Sequence, residues 1–219
     1  MDLQFTLDFL SDLAKHNKKE WMDDNKKRYQ QAKLQVIELV AEVIKKSLVF
    51  DPSLAGIDPK KTLFRINRDI RFSKNKDPYK TNFGAAIVEG GRKSGNPGYY
   101  LHIMPDNNFA GGGVYQPSAE MLQKVRQEID YNGQEVRSII DSGTFKKTFE
   151  EPYSDDKLKT APKGYPKDHE NIELLQLKHY VYMTKMTDKQ VTSKNFSDQV
   201  VETYKTLHPF NIFLAKALD

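Results

Sequence analysis

The sequence predicts an α+β fold, with a mainly antiparallel sheet from the middle of the chain packed against long N-terminal and C-terminal helices. Two patterns indicate this class. Apolar residues recur at helical spacing up to residue 48 and again from residue 196, whereas residues 62–115 hold short alternating runs separated by Gly, Asn and Pro. We expect a single domain, since a chain of 219 residues can bury one substantial core.

The N-terminal part, residues 6–48, is predicted to be helical. Thr6 is placed to cap a short first helix, and Asn17 followed by Glu20 has the spacing of a capping box for a second helix. The second helix is expected to run to about residue 48, because apolar side chains repeat at helical intervals over that stretch. Asp51-Pro52 then ends it, since the residue before a proline disfavours helical backbone.

The middle of the chain, residues 62–115, is predicted to form the sheet. Strands are expected at 63–72, 83–89, 99–104 and 109–115, and the last two flank an Asp-Asn-Asn turn typical of a hairpin.

The C-terminal half is predicted to alternate helices with one strand. We expect helices at 117–141, a lid-like loop at 152–169 in which Asp168 caps the next short helix, and a strand and final helix at 178–218. Pro209 predicts a kink in the final helix.

Positive charge is concentrated in residues 60–93, called here the basic segment. It holds ten Lys or Arg and three Asp or Glu, a net charge of +7, whereas the whole chain carries +4. A local excess focuses its field on an anionic partner more effectively than a dispersed one. The candidate ligand-binding residues of this segment are Arg65, Arg68, Arg71, Lys74, Tyr79 and Lys80.

Arg68 falls on the apolar face of the strand predicted at 63–72. An arginine driven inward needs a carboxylate or several carbonyl groups around its guanidinium. Two roles stay open: a structural ion pair or strand bulge, or the floor of a pocket for an anion.

Gly111, Gly112, Gly113 and Tyr115 form a second group of candidate binding residues, just before a predicted helix. Flexible glycines at a helix start can surround an anion with free N–H groups. The alternative is close packing, or a bulge, at positions where side chains do not fit. Tyr115 and Tyr79 are each placed to stack on a base or a sugar, or simply to pack.

The candidates for acid–base chemistry are Asp69, His102 and His169. The alternative for His102 is a hydrogen-bonded sheet histidine, and for His169 a plain surface residue. The five histidines lack metal-ligand spacing and cysteine is absent, so we predict no metal site and no cofactor. No Walker sequence or nucleophile elbow occurs.

The run RINRDIRFSKNKDPYK at residues 65–80 resembles the signature of a conserved hypothetical family, domain of unknown function 2461 (DUF2461). Three further segments are similar to the same family: residues 9–21, GGGVYQP at 111–117 and PKGYPKDH at 162–169. The resemblance spans nearly the whole chain. It implies one α+β domain and transfers no catalytic residue.

Three functional hypotheses follow, in this order. The first is a module that binds a phosphate-bearing or otherwise anionic ligand, either a small molecule or a nucleic acid. The second is an enzyme acting on an anionic small molecule, with an arginine clamp and a His/Asp acid–base pair. The third is a protein–protein docking domain. The N-terminus lacks signal-peptide character and no apolar run is long enough to span a membrane, which favours a cytoplasmic protein without membrane partners. The sequence does not indicate the oligomeric state.

Overall fold

The computed structural model describes residues 2–218 and has the predicted α+β fold. In chain order its elements are α1 (Leu3–Lys15), α2 (Lys19–Asp24), α3 (Lys26–Ser47), a 3-10 turn (Pro52–Leu54), α4 (Pro59–Thr62), β1 (Phe83–Ile87), β2 (Gly98–Ile103), β3 (Asn108–Val114), α5 (Ala119–Tyr131), α6 (Gly133–Ile140), α7 (Gly143–Thr148), α8 (Ile172–Leu175), β4 (Tyr180–Met186), α9 (Asp188–Val191) and α10 (Phe196–Leu218). No helix within residues 2–218 combines the length and apolarity needed to cross a membrane.

The four strands form one antiparallel sheet in the order β1-β2-β3-β4. Successive side chains of a strand point to opposite faces, so the sheet has two distinct surfaces. Tyr99, Leu101 and Ile103 of β2 are buried on the face toward the helices. α10 packs across β3 on that side, and it also contacts α3, α5 and α6. The second face carries Tyr100 and His102, and it is covered far less.

The N-terminal helices begin and break at other residues than predicted. α1 starts at Leu3 because Asp2 accepts a hydrogen bond from the backbone of Phe5, whereas Thr6 is buried within the helix. The second predicted helix is two helices, α2 and α3, separated at Asn25. The side-chain amide of Asn25 donates to the carbonyl of Trp21 at 2.9 Å and so competes with the helical backbone pattern.

The strand predicted at 63–72 is not formed. The backbone there makes only isolated bridges, Leu63 with Ala85 and Asn67 with Tyr79. Residues 66–80, called here the basic loop, fold back on themselves through backbone hydrogen bonds from Arg68 to the Pro78 carbonyl and from Lys80 to the Ile66 carbonyl. The alternation of this stretch does not mark a core-facing strand, because its aromatic residues Phe64 and Phe72 are 40% and 95% exposed.

The C-terminal half follows the prediction more closely. β4 and α10 form as expected, and the helical region from 117 divides into α5 and α6 at Asn132. α10 continues past Pro209 to Leu218. α8 begins after Asn171 rather than after Asp168. The unpredicted helix α7 is capped by Ser142, whose hydroxyl accepts from the backbone of Phe145.

Candidate functional site

A cleft of about 660 Å³ lies on the face of the sheet that the helices leave open. Small-molecule sites typically have volumes of about 300–1,000 Å³. Antiparallel pairing sets His102 opposite Gly84 on β1 and Phe109 on β3, and Tyr100 opposite Ala86 on β1. Directly opposed residues point to the same face, so these side chains share the cleft side of the sheet.

Small residues keep part of the cleft floor low. Gly98 and Gly113 are directly opposed on β2 and β3, and neither adds a side chain of its own to the floor. The Tyr100 ring leans over Gly84, where a Cβ would collide with its hydroxyl, and the Val88 side chain lies over Gly98, where a Cβ would be 2.6 Å from its Cγ2. Gly113 has a φ of +118°, which L side chains rarely adopt.

The glycine run lies within β3, inside the strand predicted at 109–115, and α5 begins only at Ala119. Gly111, Gly112 and Gly113 each have strand partners on β2 and on β4. A Cβ at any of them would run into a backbone carbonyl of a neighbouring strand. The glycines thus allow close strand pairing, which is the packing alternative, and they do not form an open ring of N–H groups around an anion.

His102 is the histidine of the cleft. Its ring stacks on Phe109 with centroids 4.4 Å apart, and its Nδ1 is 3.1 Å from the hydroxyl of Tyr100. Burial lowers the pKa of His102 to about 4, so the ring is neutral at neutral pH. Burial also raises the pKa of Tyr100 to about 12, so this hydroxyl keeps its proton. The buried Nε2 of His102 has no hydrogen-bond partner in the described residues.

Cations converge on Phe64 at the β1 edge of the cleft. Lys80 Nζ lies 5.4 Å and Arg92 Cζ 4.7 Å from the centre of the Phe64 ring. Burial lowers the pKa of Lys80, and the charges of Arg65 and Arg92 lower it further. Within residues 2–218, the ion pairs and side-chain hydrogen bonds include none made by the Lys80, Arg92 or Arg65 side chains.

The far wall of the cleft is built around His179. Its Nδ1 accepts from the backbone N–H of Gln116 at 2.9 Å, and its Nε2 lies 3.1 Å from Asp156 Oδ1. Tyr115, 60% exposed, stacks on its ring with centroids 4.8 Å apart, and Tyr153 meets it edge-on. Gln116 has a φ of +52°, a backbone conformation that costs a non-glycine residue about 1–3 kcal/mol. Both nitrogens of His179 are used in bracing this wall.

Arg68 and Arg71 are bound within the basic loop. Arg68 donates to the Asp77 carbonyl at 3.0 Å and to the Ser73 hydroxyl at 3.2 Å, so carbonyl and hydroxyl oxygens surround it rather than a carboxylate. Arg71 pairs with Asp69 at 2.7 Å on the surface and holds the pKa of that carboxyl below its usual value. Of the clamp predicted from Arg65, Arg68, Arg71 and Lys80, Arg68 and Arg71 are therefore engaged within the loop.

The remaining predicted residues lie outside the cleft lining. Lys74 is exposed. The buried Tyr79 lies near α2, since burial and then the charges of Asp23 and Glu20 raise the pKa of its phenol. His169 Nε2 is 2.9 Å from Asp130 Oδ1, and its Nδ1 accepts from the backbone of Asn171. Among the predicted acid–base residues, only His102 lines the cleft.

Comparison with known proteins identifies the family. Residues 5–213 match the family described as "Conserved hypothetical protein (DUF2461)". The chain belongs to the DUF2461 family. The match covers nearly the whole chain, including both the cleft and the basic loop, and it confirms the resemblance carried by residues 65–80. Neither the curated proteins nor the solved structures contain a match.

Much of the cleft of this DUF2461 chain has no local sequence signal. The lining residues that the sequence does not single out include Phe64, Arg92, Phe109, Met121, Tyr153, Val181 and Met183. Arg92 belongs to the basic segment, so its charge was a usable signal. The others come together only through sheet pairing and through loops that join distant parts of the chain. No group of three metal-ligating side chains is brought together in residues 2–218.

Proposed function

We propose that this DUF2461 protein binds a small anionic ligand in the cleft on the open face of the sheet. Lys80 and Arg92 hold the anion at the β1 edge, and Arg65 adds positive charge. The observation that carries the proposal is the convergence of Lys80 and Arg92 on Phe64 without a carboxylate partner. We further propose that the protein meets this ligand in the cytoplasm.

The energetics of Lys80 favour a binding role over a structural one. Its ammonium is partly buried beside two other cations, and both effects disfavour the charged form. The Phe64 ring offsets some of this cost, because a cation–π contact contributes about 0.5–2 kcal/mol. An anion between the cations would offset burial and repulsion together, through charge-assisted hydrogen bonds.

A second, smaller cleft provides a contrast. It has a volume of about 270 Å³ and is lined by charged residues of α6, α7 and α8. Arg137 there pairs with Glu173 and donates to Asn171, and Lys146 pairs with Asp141. The lining holds three Lys or Arg against four Asp or Glu, so it offers little attraction for an external anion and the larger cleft is the better candidate.

The shape of the cleft favours a small molecule over a nucleic acid. The cleft is concave and lined mainly by apolar and aromatic side chains. Outside the basic segment the chain is net acidic, because the whole chain carries +4 and the segment +7. A single strand of nucleic acid needs a longer positive track for its phosphates.

The enzyme hypothesis has one supporting observation, the neutral His102 in the cleft. The neighbours of this histidine are Tyr100 and Phe109 rather than a carboxylate. Asp69 pairs with Arg71, and His169 pairs with Asp130. Binding is therefore the better supported function. The docking hypothesis rests on the exposed Phe72 of the basic loop.

The proposal is tested by titrating the protein with inorganic phosphate, sugar phosphates and nucleoside monophosphates at low and moderate salt. Lys80→Gln and Arg92→Gln should each weaken binding about 10–100-fold, since a hydrogen bond to a charged group contributes about 1.5–3 kcal/mol. Lys74→Gln is the matched control, because it removes the same charge from the same segment away from the cleft. Equal losses in Lys74→Gln and Lys80→Gln, or no binding of any anion, would contradict the proposal.

A further inference from the structure

We infer that the ligand is an aromatic or heteroaromatic phosphate, whose ring lies on the β2–β3 floor of the cleft and whose phosphate faces Lys80 and Arg92. This inference rests on the proposed function and adds to it the chemical class of the group that carries the anion.

The floor has the shape of a slot for a flat group. Gly98 and Gly113 face each other across β2 and β3, and the small residue Ala86 continues the low surface onto β1. Tyr100 borders this area, but its ring leans toward Gly84 and away from it. This floor of small residues, bordered by the side chains of Val88 and Tyr100, accommodates a planar group better than a branched one.

The walls provide apolar and polarisable contacts. Phe109 lines the cleft on β3, and Val181 and Met183 line it on β4. Met121 of α5 closes the end near Gly95, since a Cβ on that glycine would meet the Met121 thioether. Aromatic rings pair favourably with other rings, and the sulfur of methionine makes favourable contacts with ring edges.

Lys80 and Arg92 lie close to this floor. The Phe64 ring meets the Tyr100 ring edge-on with centroids 6.1 Å apart, and Arg92 Cζ is 4.7 Å from the centre of Phe64. A group held by Arg92 and Lys80 is thus separated from a ring beside Tyr100 by a few covalent bonds. An ester linkage between ring and phosphate has that length, whereas a long flexible spacer would leave the cleft.

The number of cations favours a phosphate over a carboxylate. Lys80 and Arg92 both contact the Phe64 ring, and the charges of Arg65 and Arg92 lower the pKa of Lys80. A phosphate monoester carries a charge of about −1.5 to −2 and three acceptor oxygens, so it can satisfy several donors at once. A carboxylate has one charge and would leave part of this repulsion in place.

The test compares four probes by calorimetry: phenyl phosphate, cyclohexyl phosphate, inorganic phosphate and benzoate. We expect phenyl phosphate to bind at least tenfold more tightly than each of the other three. Ala86→Leu should remove the advantage of phenyl phosphate and leave the affinity for inorganic phosphate within about twofold. Ala14→Leu adds the same side chain at an exposed position of α1 and serves as the control.

A measurement on the unmodified protein keeps the inference testable if Ala86→Leu does not fold. With methyl-labelled methionine, phenyl phosphate should shift the Met121 and Met183 methyl signals, and inorganic phosphate should leave them unchanged. Equal affinities of phenyl and inorganic phosphate would overturn the inference, and so would unchanged methyl signals. If inorganic phosphate still binds through Lys80, the proposed function survives that result. If no probe binds and Lys80→Gln changes nothing, the proposed function itself fails.

Discussion

The side-chain amide of Asn17 pairs with both backbone groups of Tyr79. Its Oδ1 accepts from the Tyr79 N–H at 3.1 Å, and its Nδ2 donates to the Tyr79 carbonyl at 2.9 Å. Asn17 thus does for Tyr79 what a neighbouring strand would do. It ties the junction of α1 and α2 to the end of the basic loop, next to Lys80 at the cleft.

Asn17→Asp should destabilise the protein, because the carboxylate keeps the acceptor but loses the donor and faces the Tyr79 carbonyl. We expect a loss of about 1–3 kcal/mol in the free energy of unfolding, measured with urea. The control is Asn107→Asp, since Asn107 is exposed and its amide makes only a 3.9 Å contact with sulfur. Equal effects of the two substitutions would contradict a specific role for Asn17.

Gly84→Ala should disturb the cleft, because the new Cβ would collide with the Tyr100 hydroxyl. The ring of Tyr100 is held by Phe64 and His102, so it cannot move aside freely. We expect a loss of about 1–3 kcal/mol in thermal or urea unfolding, together with weaker anion binding. Gly143→Ala is the control, since nothing lies within 4 Å of its added Cβ. A fully stable Gly84→Ala protein would show that Tyr100 is mobile.

The stability of the protein should depend on pH because the pKa of His102 is lowered in the folded state. Its pKa is about 4 in the folded protein against an ordinary value of 6.5. Below pH 6.5 the unfolded chain therefore binds a proton that the folded protein does not, and stability falls as the pH is lowered toward 4. The loss from this residue should reach roughly 2–3 kcal/mol by pH 4.5.

The measurement compares urea unfolding at pH 7 and pH 4.5 in the unmodified protein and in His102→Gln. The variant should lose less stability on acidification, because glutamine does not titrate. His16→Gln, at an exposed position of the chain, should behave like the unmodified protein. An NMR titration that gives His102 an ordinary pKa would refute the prediction.

Arg68→Lys should loosen the basic loop with only a small effect on global stability. A lysine cannot reach both the Asp77 carbonyl and the Ser73 hydroxyl, as the guanidinium of Arg68 does. We expect faster amide exchange in the loop and a global loss of about 1 kcal/mol or less. Arg71→Lys is the control, because the surface pair of Arg71 with Asp69 contributes little. An unchanged rate of amide exchange in Arg68→Lys would show that the hydrogen bonds of Arg68 do not hold the loop.

Most of the fold could be predicted from periodicity and turn residues. The four strands of the sheet and the long helices lie close to the predicted ranges, because their patterns reflect a core built on one face of each element. The prediction of a strand at 63–72 was wrong for a physical reason. Its aromatic residues alternate like those of a strand, but Phe64 packs with Lys80 and Arg92, which lie beyond this stretch, and Phe72 faces solvent.

The candidate site was predictable only in part. Lys80 and His102 were found through local charge and residue type, and the structure brings His102 to the cleft and Lys80 to Phe64 at its edge. Arg68 and Tyr79 have the same local signals, yet contacts within the loop and with α2 occupy them. Which charges remain unmatched depends on distant neighbours, and no pattern within a short stretch records that.

The three glycines of β3 also bear on how the chain folds. A strand with a glycine run has few side chains to fix its pairing, so a slip by one residue meets little resistance along the run. The alignment must come from the ends, where the buried Asn108 accepts from the Met104 backbone at 3.0 Å and donates to Asp188 at 2.6 Å. Asp188 follows β4 and is far from β3 along the chain. We therefore expect β3 to reach its final register late in folding, only after the C-terminal half has docked.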